Sequence, residues 1–179
     1  GNVFEEKVSV DVTPDGFIEI FTATQSMGQG IQTSYAQLAV DVFGVPIEKI
    51  RVVQGDTDRG NGFGSAGSRS LFTGGSAVHV ASERTVDHAK ALAAEALEAA
   101  AGDIEYRAGR YTVVGTDLGI DLFALAGKQP GARIHLDSTS SVGGPTWPNA
   151  CHVCEVEIDP ASGDVRVVAY ASVNDIGRV

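Results

Sequence analysis

Residues 7–23, KVSVDVTPDGFIEIFTA, leave little freedom of local structure. Val8, Val10 and Val12 alternate with polar neighbours, the period of a half-buried strand. Pro14-Asp15-Gly16 then turns the chain and FIEIFTA returns it, which makes a hairpin. The pattern recurs twice. DIEYRAGRYTVV turns at Ala108-Gly109, and CHVCEVEID joins DVRVVAYASVND through PASG. KIRVVQG reads as a short strand, ARIHLDSTSS as another, and GIDLFALAG as a single short helix.

Two long stretches follow a helical period instead. Ile31, Tyr35, Leu38 and Val42 recur every three or four residues, with Gly44 and Pro46 as stop signals. A second helix is expected over about 70–100. Its seam is Val78, Ala81, Thr85, Ala89, Leu92, Ala96 and Ala99. Hairpins separated by two helices predict an α+β fold, with mixed or antiparallel sheets packed on those helices.

The chain has 179 residues, enough for one domain over 1–179 with a secondary division into 1–101 and 102–179. A net charge of −10 argues against nucleic acid as a partner, because phosphate backbones need clustered Lys and Arg. No run of apolar residues reaches membrane-spanning length and no signal peptide opens the sequence, so a cytoplasmic protein without a membrane partner is expected. Cys151 and Cys154 fall in an alternating strand, where positions three apart face opposite sides. That placement expects two structural thiols, with Cys154 beside Val156 and Ile158 on the inner face and Glu155 and Glu157 on the solvent face. His79, His88, His135 and His152 show no metal-ligand spacing, and no metal site is expected.

GNGFGSAGSRS, residues 60–70, raises the question of a ligand. Gly62, Gly64 and Gly67 match G-x-G-x-x-G, but a dinucleotide fingerprint should open directly after a first strand and lead to a second parallel strand. Here DTDRGN intervenes and an antiparallel hairpin follows the helix. A P-loop would need Gly-Lys-Ser/Thr where this segment ends in GSRS. A more general reading fits better. SMGQG and SAGSRS each enter the N-terminus of a helix, where free amides and the dipole favour an anion. Ser65, Ser68 and Ser70 bring hydroxyls, Arg69 a planar fork suited to phosphate, and Gln29 a group that donates and accepts. The competing reading makes Ser68 or Ser70 an N-cap and the glycines ordinary turn residues.

The order of motifs adds a resemblance. MGQGIQTSYAQLAVDVFGVPIEKIRVVQGDTD, then GSAGSRS, FTGGSAV and TWPNACHVCEVEIDPASGDVRVVAYASVNDIGRV, resembles the molybdenum-binding large subunit of the xanthine dehydrogenase family. That family includes the aldehyde oxidases and the aerobic carbon monoxide dehydrogenases. The similarity runs over nearly all of the chain.

The resemblance implies a molybdopterin cofactor, often in its cytosine dinucleotide form. It implies hydroxylation of an aldehyde, an N-heterocycle or CO with oxygen derived from water. It carries cofactor contacts onto Met27, Gly28, Gln29 and Gly30, and onto Ser65, Ala66, Gly67, Ser68, Arg69 and Ser70. The family's general-base glutamate lies in a segment beyond Val179, so no catalytic residue is assigned. The expectation is a portion of a larger subunit, inactive alone, whose partners are the rest of that subunit and iron–sulfur and flavin subunits or domains. Two other readings stay open: a structural or assembly domain that binds no cofactor in isolation, and, more remotely, an NAD-binding domain. Trp147, between Thr146 and Pro148, suits either a channel wall or a loop anchor.

Overall fold

The computed structural model of the chain describes residues 2–147 and 149–175. It divides into two compact units, Gly1–Pro145 and Thr146–Val179.

The first unit is built on the expected hairpin. Strands β1 (Glu5–Thr13) and β2 (Phe17–Thr22) pair antiparallel, with Val12 opposite Ile18 and Val10 opposite Ile20. Strand β3 (Ile50–Val53) joins β2 in parallel, and β7 (Ile134–Ser141) joins the other side of β1 antiparallel. The sheet order is therefore β3-β2-β1-β7, a mixed sheet as expected. Helices α1 (Ile31–Phe43) and α2 (Ser76–Ala96) pack on each other and against this sheet. Between sheet and helices lies the core, where Val8, Val10, Val12, Ile18, Ile20, Tyr35, Phe43, Val78 and Ala81 are fully buried. Alanine at 77, 81, 89, 93 and 94 lets α2 come close to its neighbours.

A second, antiparallel sheet of order β4-β5-β6 follows α2. Strands β4 (Ile104–Arg107) and β5 (Arg110–Val113) form the expected hairpin, with Ala108 and Gly109 both at positive φ. GIDLFALAG corrects one expectation. Gly119–Asp121 is strand β6, paired with β5, and only Leu122–Gly127 forms helix α3. Asp121 ends the strand and caps the helix, its carboxylate accepting from the amides of Phe123 and Ala124.

In the second unit β8 (Asn149–Ile158) and β9 (Val165–Asp175) pair antiparallel, with a register shift between Glu155 and Val156. Cys154, Val156 and Ile158 share a face opposite Cys151, but none of them is buried, contrary to the inner-face expectation. A two-stranded ribbon has no second layer of its own to cover either face. Glu155 and Glu157 are exposed as expected, and Glu157 pairs with Arg166. Trp147 is exposed as well. Among the described residues no helix is long and apolar enough to cross a membrane.

Candidate functional site

The two glycine-rich segments enter the helices as the sequence suggested, and neither helix start is capped by a side chain. Helix α1 begins behind Gly30, whose φ of 76° is left-handed and which offers no capping group. The second helical stretch begins with a π-helical turn, Ser70–Gly75, before α2 proper, and its N-cap, Arg69, makes no side-chain cap. Ser68 and Ser70 are therefore not the N-caps of the competing reading. The hydroxyl of Ser70 instead donates to Ser65 Oγ at 2.8 Å. Uncapped first-turn amides are open donors at the positive end of the dipole.

The two segments also touch. The amide of Gln25 donates to Ser65 Oγ at 2.8 Å, and the same hydroxyl donates to the carbonyl of Gln25 at 3.1 Å. One serine hydroxyl thus uses its single donor and both acceptor positions to join the loops. Residues 25–30 are all exposed, as are Ala66, Gly67 and Ser68. Gly28, Gly30 and Gly67 all have positive φ, with open space beside each α-carbon. Ser68 also sits at positive φ, 58°, unusual for a residue with a side chain. Such local outliers persist where the surroundings enforce them, and they gather at ligand-binding loops. Gln29 folds back on its own loop, accepting from the amide of Met27 at 2.5 Å and donating to the carbonyl of Gln25 at 3.0 Å. Met27 is an exposed apolar side chain within the segment, at 71%.

Arg69 behaves differently from the rest of the loop. Its side chain turns inward and is buried, with relative exposure of 4%. Nε donates to the carbonyl of Val3 at 2.7 Å and Nη1 to that of Gly64 at 2.5 Å, while Nη2 reaches the carbonyl of Glu5 and Glu6 Oε2, both at 2.8 Å. The other oxygen of Glu6 accepts from Thr22 Oγ1 and the amide of Ala23. From Thr22 the chain of hydroxyls continues through Thr24 to Tyr35, whose Oη donates to the carbonyl of Ser70 at 2.5 Å. Burial pushes the Tyr35 hydroxyl up to about 12, with the Thr24 hydrogen bond opposing and the Glu6 carboxylate reinforcing. On the outer face of the sheet Arg59, from the same long loop, pairs with Asp11 and Glu19. The loop is therefore pinned on both faces of the sheet it crosses.

Glu6, Thr22, Thr24 and Tyr35 were not singled out from the sequence as site residues. The signal for Glu6 was there: it shares the parity of Val8, Val10 and Val12, so a carboxylate occupies the buried row and needs a partner. Among the described residues, no group of three or more His, Cys, Asp or Glu stands close enough to hold a metal ion.

Two uncapped, glycine-lined helix starts held together on an α+β frame form one surface of open backbone amides, a donor set whose chemistry suits an anion. The chain belongs to the molybdopterin cofactor-binding domain family, whose model matches residues 2–179. This is the family of molybdenum hydroxylases that the sequence resembles, and its cofactor is molybdopterin. The nicotine 6-hydroxylase large subunit of Paenarthrobacter nicotinovorans is 32% identical, over 99% of this chain and 23% of that protein. The carbon monoxide dehydrogenase large chain of Hydrogenophaga pseudoflava is 31% identical, over 96% of this chain and 22% of its own length. Among solved structures, carbon monoxide dehydrogenase from Oligotropha carboxidovorans matches with a TM-score of 0.78 and 28% identity, over 96% of this chain and 22% of that one. The chain thus spans less than a quarter of the length of these relatives. They are named as a large subunit and a large chain, components of multi-subunit proteins.

Proposed function

We propose that residues 27–30, 65–68 and 70 hold the anionic and pterin parts of molybdopterin, in its cytosine dinucleotide form, within a molybdenum hydroxylase, with Arg69 turned inward beneath them. The observation that carries this reading is the Ser65–Gln25 junction, which sets two uncapped helix starts side by side. The residues suit the group: exposed left-handed glycines allow close backbone approach, and the amides that follow them are donors for a pyrophosphate. Ser68 contributes its hydroxyl from the exposed rim of the loop. Gln29, with both ends of its amide already placed, fixes the curvature of its own loop. When bound, molybdopterin supplies the redox centre at which a carbon is hydroxylated with oxygen from water. The role of this chain is to bind and orient that group.

The substrate is an N-heterocycle, an aldehyde or CO, the classes that the family resemblance implies, and electrons leave through iron–sulfur and flavin partners. Two free, exposed cysteines, on opposite faces of one hairpin, suit a reducing cytoplasm. The test is purification from a host that makes the cofactor, followed by molybdenum analysis and fluorescence of the released pterin. Both should be present in proportion to protein. A folded chain carrying neither, and taking up neither when cofactor is added, would favour a purely structural domain.

A further inference from the structure

We propose that Arg69 is a positioning residue, whose buried guanidinium fixes the 60–70 loop in its cofactor-binding shape without touching the cofactor. This inference rests on the reading of the loop as a molybdopterin site. An arginine in a glycine- and serine-rich loop suggests a phosphate ligand. The geometry points elsewhere, because its Nε, Nη1 and Nη2 are all committed to protein acceptors.

Those acceptors belong to two groups. The carbonyls of Val3 and Glu5 and the carboxylate of Glu6 lie at the start of β1, and the carbonyl of Gly64 lies in the loop itself. The guanidinium fork thus sets the distance between the loop and the sheet, as a planar multidentate group does better than a point charge. Glu6 then passes the constraint to Thr22, Thr24 and Tyr35, and Tyr35 returns it to the Ser70 carbonyl at the foot of the π-turn. Since Tyr35 is a buried residue of α1, one polar chain couples both helix starts. No buried side-chain nitrogen or oxygen lacks a partner among the described residues, so the network has no slack.

Charge supplies a sign test. Glu6 is buried and negative, and it contributes nothing attractive to an anion. If Arg69 served as a source of positive potential, Glu6→Gln would leave that charge unbalanced and raise or preserve cofactor retention. If Arg69 is a positioning group, Glu6→Gln lowers retention because the fork loses its anchor. The experiment uses the full-length protein from a cofactor-producing host, and reads molybdenum and released pterin per folded chain beside the melting temperature. Leu125→Ala, a core cavity in α3, which packs near the opposite, turn end of the β1–β2 hairpin, provides a control for simple loss of stability.

Glu6→Gln and Arg69→Lys should each retain about tenfold less cofactor than the control, the size of effect for one lost charged hydrogen bond. The double variant should lose no more than either single one, since the two act as a unit. Retention held or raised in Glu6→Gln, or losses no larger than in Leu125→Ala, would overturn the proposal. Should a single variant fail to fold, Glu6→Met/Arg69→Met, an apolar replacement of the buried pair, takes its place with the same two outcomes. Absence of molybdenum and pterin from the unsubstituted protein would overturn the proposed function itself, and is read in that arm alone.

Discussion

Ser65 Oγ lies 2.8 Å from the backbone nitrogen of Gln25, so the loop before the second long helical stretch is hydrogen-bonded to the loop before the first. The residues are forty positions apart, and this junction turns two separate helix starts into one surface. Ser65→Ala removes the bonds to the Gln25 amide, the Gln25 carbonyl and the Ser70 hydroxyl. Because the site is only half-buried and water can replace part of the loss, the cost should be about 1 kcal/mol. Thermal unfolding should show a drop of a few degrees, and amide exchange at Gln25 should accelerate.

Gly74 is needed for space rather than for its backbone angles. A methyl group there would stand 2.2 Å from the Tyr35 hydroxyl oxygen and 3.2 Å from Thr24 Cγ2. Both neighbours belong to the buried chain of hydroxyls, so neither can move freely. Gly74→Ala should cost about 1–3 kcal/mol through overpacking. Gly102→Ala, where a methyl group would meet open space, should stay within about 0.5 kcal/mol of the unsubstituted protein. Denaturant melts of the two variants make the comparison.

Much of this frame is legible in the sequence, because strand alternation and helical spacing are local signals. The β1–β2 hairpin, the β4–β5 turn at Ala108-Gly109, α1 and the two glycine loops all follow from such patterns. What stays hidden is long-range. Nothing in ARIHLDSTSS announces that it pairs with β1, and nothing in SAGSRS announces that Ser65 meets Gln25. Arg69 shows the difference most clearly. Loop chemistry alone makes it a phosphate fork, whereas the fold turns it inward to a carboxylate whose buried position only the parity of β1 betrays. The π-turn at Ser70–Gly75 is equally invisible, since it arises where packed residues Gly74 and Gly75 meet Tyr35 and Leu38.

Alkali should loosen the site. The Tyr35 hydroxyl is pushed up to about 12, chiefly by burial. The unfolded chain gives up this proton near the ordinary tyrosine value of about 10. Between those values the folded state binds more protons than the unfolded state, so stability falls as pH rises. The contribution is complete below about pH 10 and gone above the folded value. Burial pushes Tyr106 and Tyr111 upward as well, and they act with the same sign. Urea unfolding at intervals from pH 8 to 11 should show a steepening loss. Tyr35→Phe should be less stable at neutral pH yet lose less over the alkaline interval.

Backbone amide exchange, followed residue by residue in the cofactor-loaded and cofactor-free forms of the protein, tests the binding surface most directly. Protection on loading should appear together at Gly28–Ile31 and at Ala66–Ser70, the two helix entrances joined by Ser65 and Gln25. Protection at neither entrance, with slowing confined to other parts of the chain, would contradict it.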